Sequence, residues 1–158
     1  MPIRTQSDLP AKEILEQENI FVMDESRAMH QDIRPINIVI LNLMPLKEET
    51  ELQIFRSLSN TPLQVDVSLL APASHASTHT SKSHLNKFYQ TFQEIKNQYF
   101  DGLIITGAPV EQMKYEEVDY WDEVCEIMEW SKKHVTSTAF VLGAAGWQLY
   151  YHLRNPKI

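Results

Sequence analysis

The sequence predicts an α/β domain built on a parallel sheet with helices on both faces. Three observations point there. Short, β-branched, almost wholly apolar runs recur along the chain. Amphipathic stretches with helical spacing separate them. The 158 residues, 43% hydrophobic and 22% charged, suit one globular domain spanning 1–158. Strands that read as continuous apolar runs are those buried on both faces, and parallel neighbours need a crossover segment, usually a helix, between them.

The elements follow in order. Ile36-Asn-Ile-Val-Ile-Leu41 reads as a buried strand that Asn42-Leu-Met-Pro45 breaks. Lys47–Leu58 reads as a helix, with Leu52, Phe55 and Leu58 three apart and Glu48 and Glu49 in an acidic first turn. Leu63–Leu69 alternates with period two, as a strand with one wetter face does. Ser74–Ser83, rich in Ser, Thr and His, reads as a solvated loop. Leu85, Phe88, Tyr89, Phe92 and Ile95 then place one helical stretch after it. Gly102–Thr106 is the next buried strand, ended by Gly107-Ala-Pro109. Trp121, Val124, Ile127 and Met128 predict a helix over 120–134, Ser137–Val141 a fourth strand, and Ala144–Leu153 a last helix.

Charge and composition exclude several functions. Fourteen Lys and Arg against twenty-one Asp and Glu leave a net charge of −7, and no dense basic cluster exists to neutralise a nucleic-acid backbone. No apolar run approaches the ~18 residues of a membrane span, and the first ten residues lack the apolar core of a signal peptide, so a cytoplasmic protein is expected. The single cysteine, Cys125, allows no internal disulfide; beside Trp121 and Val124 in mid-helix it reads as a buried structural thiol.

Ligands of parallel sheets bind beyond the carboxyl ends of the strands. Asn42–Lys47, Thr106–Glu111 and Val141–Gly146 are therefore the expected site walls. Other features are weaker. Six histidines (His30, His75, His79, His84, His134, His152) include no HExxH pair, and His75 and His79 lie in the Ser/Thr loop without an acidic partner, so no metal site is expected. Gly143-Ala-Ala-Gly146 lacks the ending of a phosphate-binding P-loop. Trp147, Tyr150 and Tyr151 read as core or interface aromatics.

The loops carry a resemblance. Ile40-Leu-Asn-Leu-Met-Pro45, Leu58-Ser-Asn-Thr-Pro-Leu-Gln-Val-Asp66, Phe100-Asp-Gly-Leu-Ile-Ile-Thr-Gly-Ala-Pro109 and Trp130-Ser-Lys-Lys-His-Val-Thr-Ser-Thr138 resemble the homoserine O-acyltransferases of methionine biosynthesis, both succinyl- and acetyl-transferring. Glu16–Met23 fits as well, and the likeness runs from Met1 to Lys157. It implies a class I glutamine amidotransferase-like (flavodoxin-like) fold. It also implies acetyl-CoA or succinyl-CoA and L-homoserine as partners, with acyl-CoA a co-substrate and no resident cofactor, and neither nucleic acid nor membrane. In the family a cysteine thiolate on a strand-to-helix turn takes the acyl group as a thioester. A histidine serves as base, a glutamate orients it, and backbone N–H groups hold the oxyanion.

Three positions need separate treatment. The strand ending at Val141 should deliver the nucleophile next, and this chain has Leu142. The family's Cys-Trp-small-Ala turn is Leu142-Gly143-Ala144-Ala145 here, so no thioester can form, and Leu142 is expected to pack under the turn. Lys47 matches a family lysine near the acyl-transfer centre, where a cation stabilises an oxyanion; read alone, it is an ordinary exposed lysine at a helix start. Glu111 matches a switch for the acyl donor, where a glutamate repels the second carboxylate of succinyl and favours acetyl; read alone, it is a solvated loop carboxylate. Gly107, Ala108, Pro109 and Gly143 complete the site loops.

In the family the base histidine and its glutamate lie in a second half that these residues do not match. A truncated, catalytically incompetent family member is expected. The alternatives are a pseudo-enzyme that pairs with a full-length relative, or a small CoA- or nucleotide-binding domain. Truncation further predicts an exposed apolar patch or open sheet edge and a tendency to form oligomers.

Overall fold

Val39 and Leu41 point to one side of the strand Ile36–Leu41, and Ile40 points to the other; all three are almost completely buried. That alternation, with apolar residues on both sides, is the signature of a strand covered twice. The computed structural model, which describes residues 3–6, 8–20, 22–24, 34–74, 79–110, 113–141 and 143–153, shows the covering layers.

In chain order the elements are β1 (Ile3–Thr5), α1 (Pro10–Gln17), β2 (Val22–Asp24), β3 (Ile36–Leu41), α2 (Lys47–Leu58), β4 (Val65–Leu70), α3 (Lys82–Phe88), β5 (Tyr89–Gln90), α4 (Phe92–Ile95), β6 (Phe100–Ile105), a short 3-10 turn (Tyr115–Glu117), α5 (Trp121–His134), β7 (Val135–Phe140) and α6 (Gly143–Leu153). Among the described residues every strand pairing is parallel, in the order β2-β1-β4-β3-β6-β7, with β5 added beside β4. β1 pairs with Val65 and Asp66 and β5 with Leu69 and Leu70, so the two share the edge of β4 that β3 leaves free.

Two apolar clusters flank the sheet. Ile40, Leu69 and Val22 meet Leu15 of α1, Phe55 of α2 and Phe88 of α3 on one face. Val39, Leu41, Leu70, Leu103 and Ile105 meet Phe92 and Ile95 of α4, the α5 residues Val124, Ile127 and Met128, and Trp147 of α6 on the other. The expected doubly covered parallel sheet is present. The helix ends are also as charge would dictate: α5 opens on Asp122 and Glu123 and closes on Lys132, Lys133 and His134, complementing the helix dipole.

Several expectations need correction. The apolar spacing of 85–95 does not produce one helix. Tyr89 takes an extended conformation (φ −102°, ψ 142°) and pairs with Leu69 on β4. The backbone N–H and hydroxyl of Thr91 then donate to the Glu94 carboxylate and start α4. A strand hydrogen bond overrides the helical period there. The stretch 74–83 is not wholly a solvated loop: Thr80 is buried with its hydroxyl on the Pro45 carbonyl, and the Ser81 hydroxyl caps α3 by accepting from the His84 N–H. β4 starts at Val65, leaving Leu63 half-exposed outside it, and β7 follows α5 without a loop. The N-terminal elements β1, α1 and β2 were not anticipated from periodicity; two of them have only three residues.

Candidate active site at the strand ends

The loop after β3 is built around Asn42, whose side chain is fully buried. Its amide donates to the Lys47 carbonyl (3.2 Å) and the Tyr89 hydroxyl (2.9 Å), and its Oδ1 accepts from the Met44 N–H (3.2 Å). One side chain thereby folds the loop back on itself. The loop is also stitched to the one after β6: the Leu43 N–H donates to Thr106 Oγ1 (2.8 Å), and the Thr106 N–H to the Leu41 carbonyl (3.1 Å). Thr106 in turn donates its hydroxyl to Gly107.

Between these loops lies a cleft of about 190 Å³. Leu43, Met44, Pro45 and Lys47 form one wall, Pro109 and Val110 the second, and Val118, Asp119 and Tyr120 close it. Two of the three expected walls are thus brought together. Gly107 and Ala108 are buried beneath the cleft rather than lining it. The third wall is aligned by the pairing of Ile105 with Phe140 and by the Val141 N–H on the Ile105 carbonyl, and Gly143 opens α6 directly after it. None of its described residues lines the cleft. Leu142 and Glu111 lie outside the described residues, as do His30 and His75.

Lys47 is not the ordinary exposed lysine of the simple reading. It is the first residue of α2 and only 5% exposed. Its Nζ donates to the carbonyls of Asn42 (2.6 Å) and Met44 (3.2 Å) and lies 5.9 Å from the centre of the Tyr89 ring. Burial lowers its pKa from 10.5 to about 8, against the pull of Glu51, which favours the charged form. Two bonds to carbonyls leave the third N–H direction of an ammonium for a ligand oxygen.

A stability prediction follows. The unfolded lysine keeps its proton up to about 10.5, and the folded one releases it near 8. Between these values the unfolded state binds more protons, so this group makes the fold more stable as pH rises. Relative to Lys47→Met, the wild-type chain is expected to gain about 2–3 kcal/mol between pH 7 and 10 in urea titrations. Parallel pH profiles would show that the ammonium carries no burial penalty.

Behind Lys47 sits a polar cluster that sequence reasoning missed. Glu51, 2% exposed, accepts from the Tyr89 hydroxyl (2.5 Å) and pairs with His84 Nε2 (3.0 Å to Oε1, 3.3 Å to Oε2). His84 Nδ1 stands 3.7 Å from the exposed Glu48. Burial and Glu51 hold the Tyr89 phenol far above its ordinary range, so it stays a donor. One signal was present: Lys47, Glu51 and Phe55, the three buried residues of α2, are spaced four apart on one face.

The remaining candidates fall into place. Cys125 is half-buried on α5 and packs against the core; burial and the nearby Asp122, Glu116 and Glu129 push its thiol up to about 11. It is no nucleophile at neutral pH. His134 stacks between Trp130 and Tyr99, away from the cleft, while His79 is exposed at its rim. Trp147 is core, with Tyr150 and Tyr151 packed against it. No cluster of three metal-ligating side chains occurs among the described residues, and no helix there is long and apolar enough to cross a membrane.

Comparison with known proteins gives this arrangement its context. The family model for homoserine O-succinyltransferase matches residues 2–158. A homoserine O-acetyltransferase of Agathobacter rectalis is 68% identical over 157 residues, which is 99% of this chain and 51% of the relative. Proteins of the same name from Geobacillus sp. (62% identical) and Methanomethylophilus alvi (57%) also cover 99% of this chain and 52% and 51% of their own lengths. The chain thus spans about half the length of these curated relatives. With the family model covering all but the first residue, the chain belongs to the homoserine O-succinyltransferase family.

Proposed function

We propose that the cleft beside Lys47 is the acyl site of a homoserine O-acetyltransferase, and that the chain with Leu142 does not complete the reaction by itself. The buried ammonium at the cleft wall carries this reading. It is the one described cation lining the cleft, it is held by two loop carbonyls, and its remaining N–H can meet a thioester oxygen as negative charge develops there. The names of the relatives support acetyl as the group transferred and homoserine as acceptor; the family resemblance implies acetyl-CoA as donor and a place in methionine biosynthesis. Glu111 supports the same choice, since its carboxylate would repel that of succinyl.

Leucine at 142 removes the thiolate, and Cys125 cannot replace it. The retained loops without a nucleophile fit a cytoplasmic pseudo-enzyme that pairs with an intact relative or with itself. The purified 158-residue chain is expected to consume acetyl-CoA with homoserine no faster than a blank preparation. Leu142→Cys is expected to gain one acetyl group from acetyl-CoA, seen by mass spectrometry and removed by hydroxylamine. Turnover by the wild-type chain would refute the inactivity; a Leu142→Cys chain that gains acetyl no faster than the same chain with Lys47→Met added would refute an acyl site at this cleft.

A further inference from the structure

Glu51 is a carboxylate in a place that normally excludes one. It is 2% exposed and lies four residues beyond Lys47 on the same helix face. Two neighbours hold it there: the Tyr89 hydroxyl, fixed from its other side by Asn42, and His84, which pairs with both carboxylate oxygens. A structural tie between helices would not need an ionisable group, because two hydrogen bonds to a neutral acceptor would serve. The neighbour that does need a negative charge is Lys47, whose ammonium rests only on neutral carbonyls. The other titratable groups around it are Tyr89 behind, His79, Asp119 and Tyr120 across the cleft, and Glu94 on the opposite side.

We propose that Glu51 is a positioning residue for the acyl-site cation: a carboxylate, clamped by Tyr89 and His84, that keeps the Lys47 ammonium charged and seated on the carbonyls of Asn42 and Met44. This deepens the assignment of the cleft and rests on it. In the acyl reaction such a residue touches no substrate. It sets the fraction of sites in which the third N–H of Lys47 is available to an oxyanion.

The test uses the whole 158-residue chain and no acyl-CoA, so its outcome is separate from that of the transfer assay. Trace labelling with acetic anhydride is followed residue by residue with mass spectrometry across neutral and alkaline pH. Lys47 is expected to label with a midpoint near 8, below those of exposed lysines. In Glu51→Gln, which keeps an acceptor for Tyr89 and His84, the midpoint is expected to fall by about one to two pH units. Glu48→Gln, at an exposed position on the same helix, leaves it in place. If Glu51→Gln does not fold, Glu51→Asp, which draws the charge back by one methylene, is expected to lower the midpoint by about half a unit. A folded Glu51→Gln, or failing that a folded Glu51→Asp, with the wild-type midpoint overturns the proposal and leaves Glu51 a tie between α2 and α3.

Discussion

Trp147→Ala is expected to destabilise the chain by about 3–5 kcal/mol, the range for removing a large aromatic from a packed core. Trp147 is 1% exposed, and its ring lies 5.9 Å from Trp121, edge-on, with Tyr120 at 6.2 Å and Tyr115 at 6.4 Å. This aromatic cluster joins α5, the 3-10 turn and α6 on one face of the sheet. The packing is close: a Cβ at Gly146 would stand 2.7 Å from the Tyr115 hydroxyl, so an alanine next to Trp147 would make the Tyr115 side chain shift. Losing the indole leaves a cavity that the surrounding rings cannot fill without moving. The loss should also free the start of α6. The measurement is a urea titration followed by far-UV circular dichroism, because removing one of three tryptophans compromises fluorescence. A fall in midpoint at unchanged slope is expected. A shift under about 1 kcal/mol would mean that α6 packs less closely than the ring distances indicate.

The second large effect concerns Glu51. Glu51→Ala is expected to destabilise the chain by about 3 kcal/mol, and Glu51→Gln by about 1 kcal/mol or less. Alanine strands two buried donors, the Tyr89 hydroxyl and His84, each without an acceptor. Glutamine offers its carbonyl to both. The contrast between the variants separates hydrogen-bond acceptance, which governs stability, from negative charge, which governs Lys47. Thermal melts monitored by circular dichroism report the first. Equal losses in the two variants would show that the charge itself holds the fold together.

Much of the architecture is legible from local pattern. β3 and α2 have the residue ranges that apolar runs and helical spacing indicate, because strands buried on both faces and amphipathic helices leave period signals within a few residues. The break at Tyr89 was not legible. The residues 85–95 keep helical spacing, and only the distant edge of β4 draws Tyr89 into a strand. A pairing between residues twenty apart leaves no trace in a local period. The short strands β1 and β2 escape for the related reason that three residues do not define a period.

The candidate site divides in the same way. The strand-end loops, the leucine at 142, the glutamate at 111 and the lysine at 47 are properties of the sequence, and they established the family likeness and the missing thiolate. The state of Lys47 is decided by tertiary structure alone. Its helix-start context predicts exposure, yet Asn42 folds the loop over it and Glu51 lies beneath. Glu51 reads as one more carboxylate in an acidic helix until His84, 33 residues away, and Tyr89, 38 away, close on it. Apolar burial follows a pattern that each segment carries by itself. Polar burial is stable only when its partners arrive, and here those partners come from other elements of the fold.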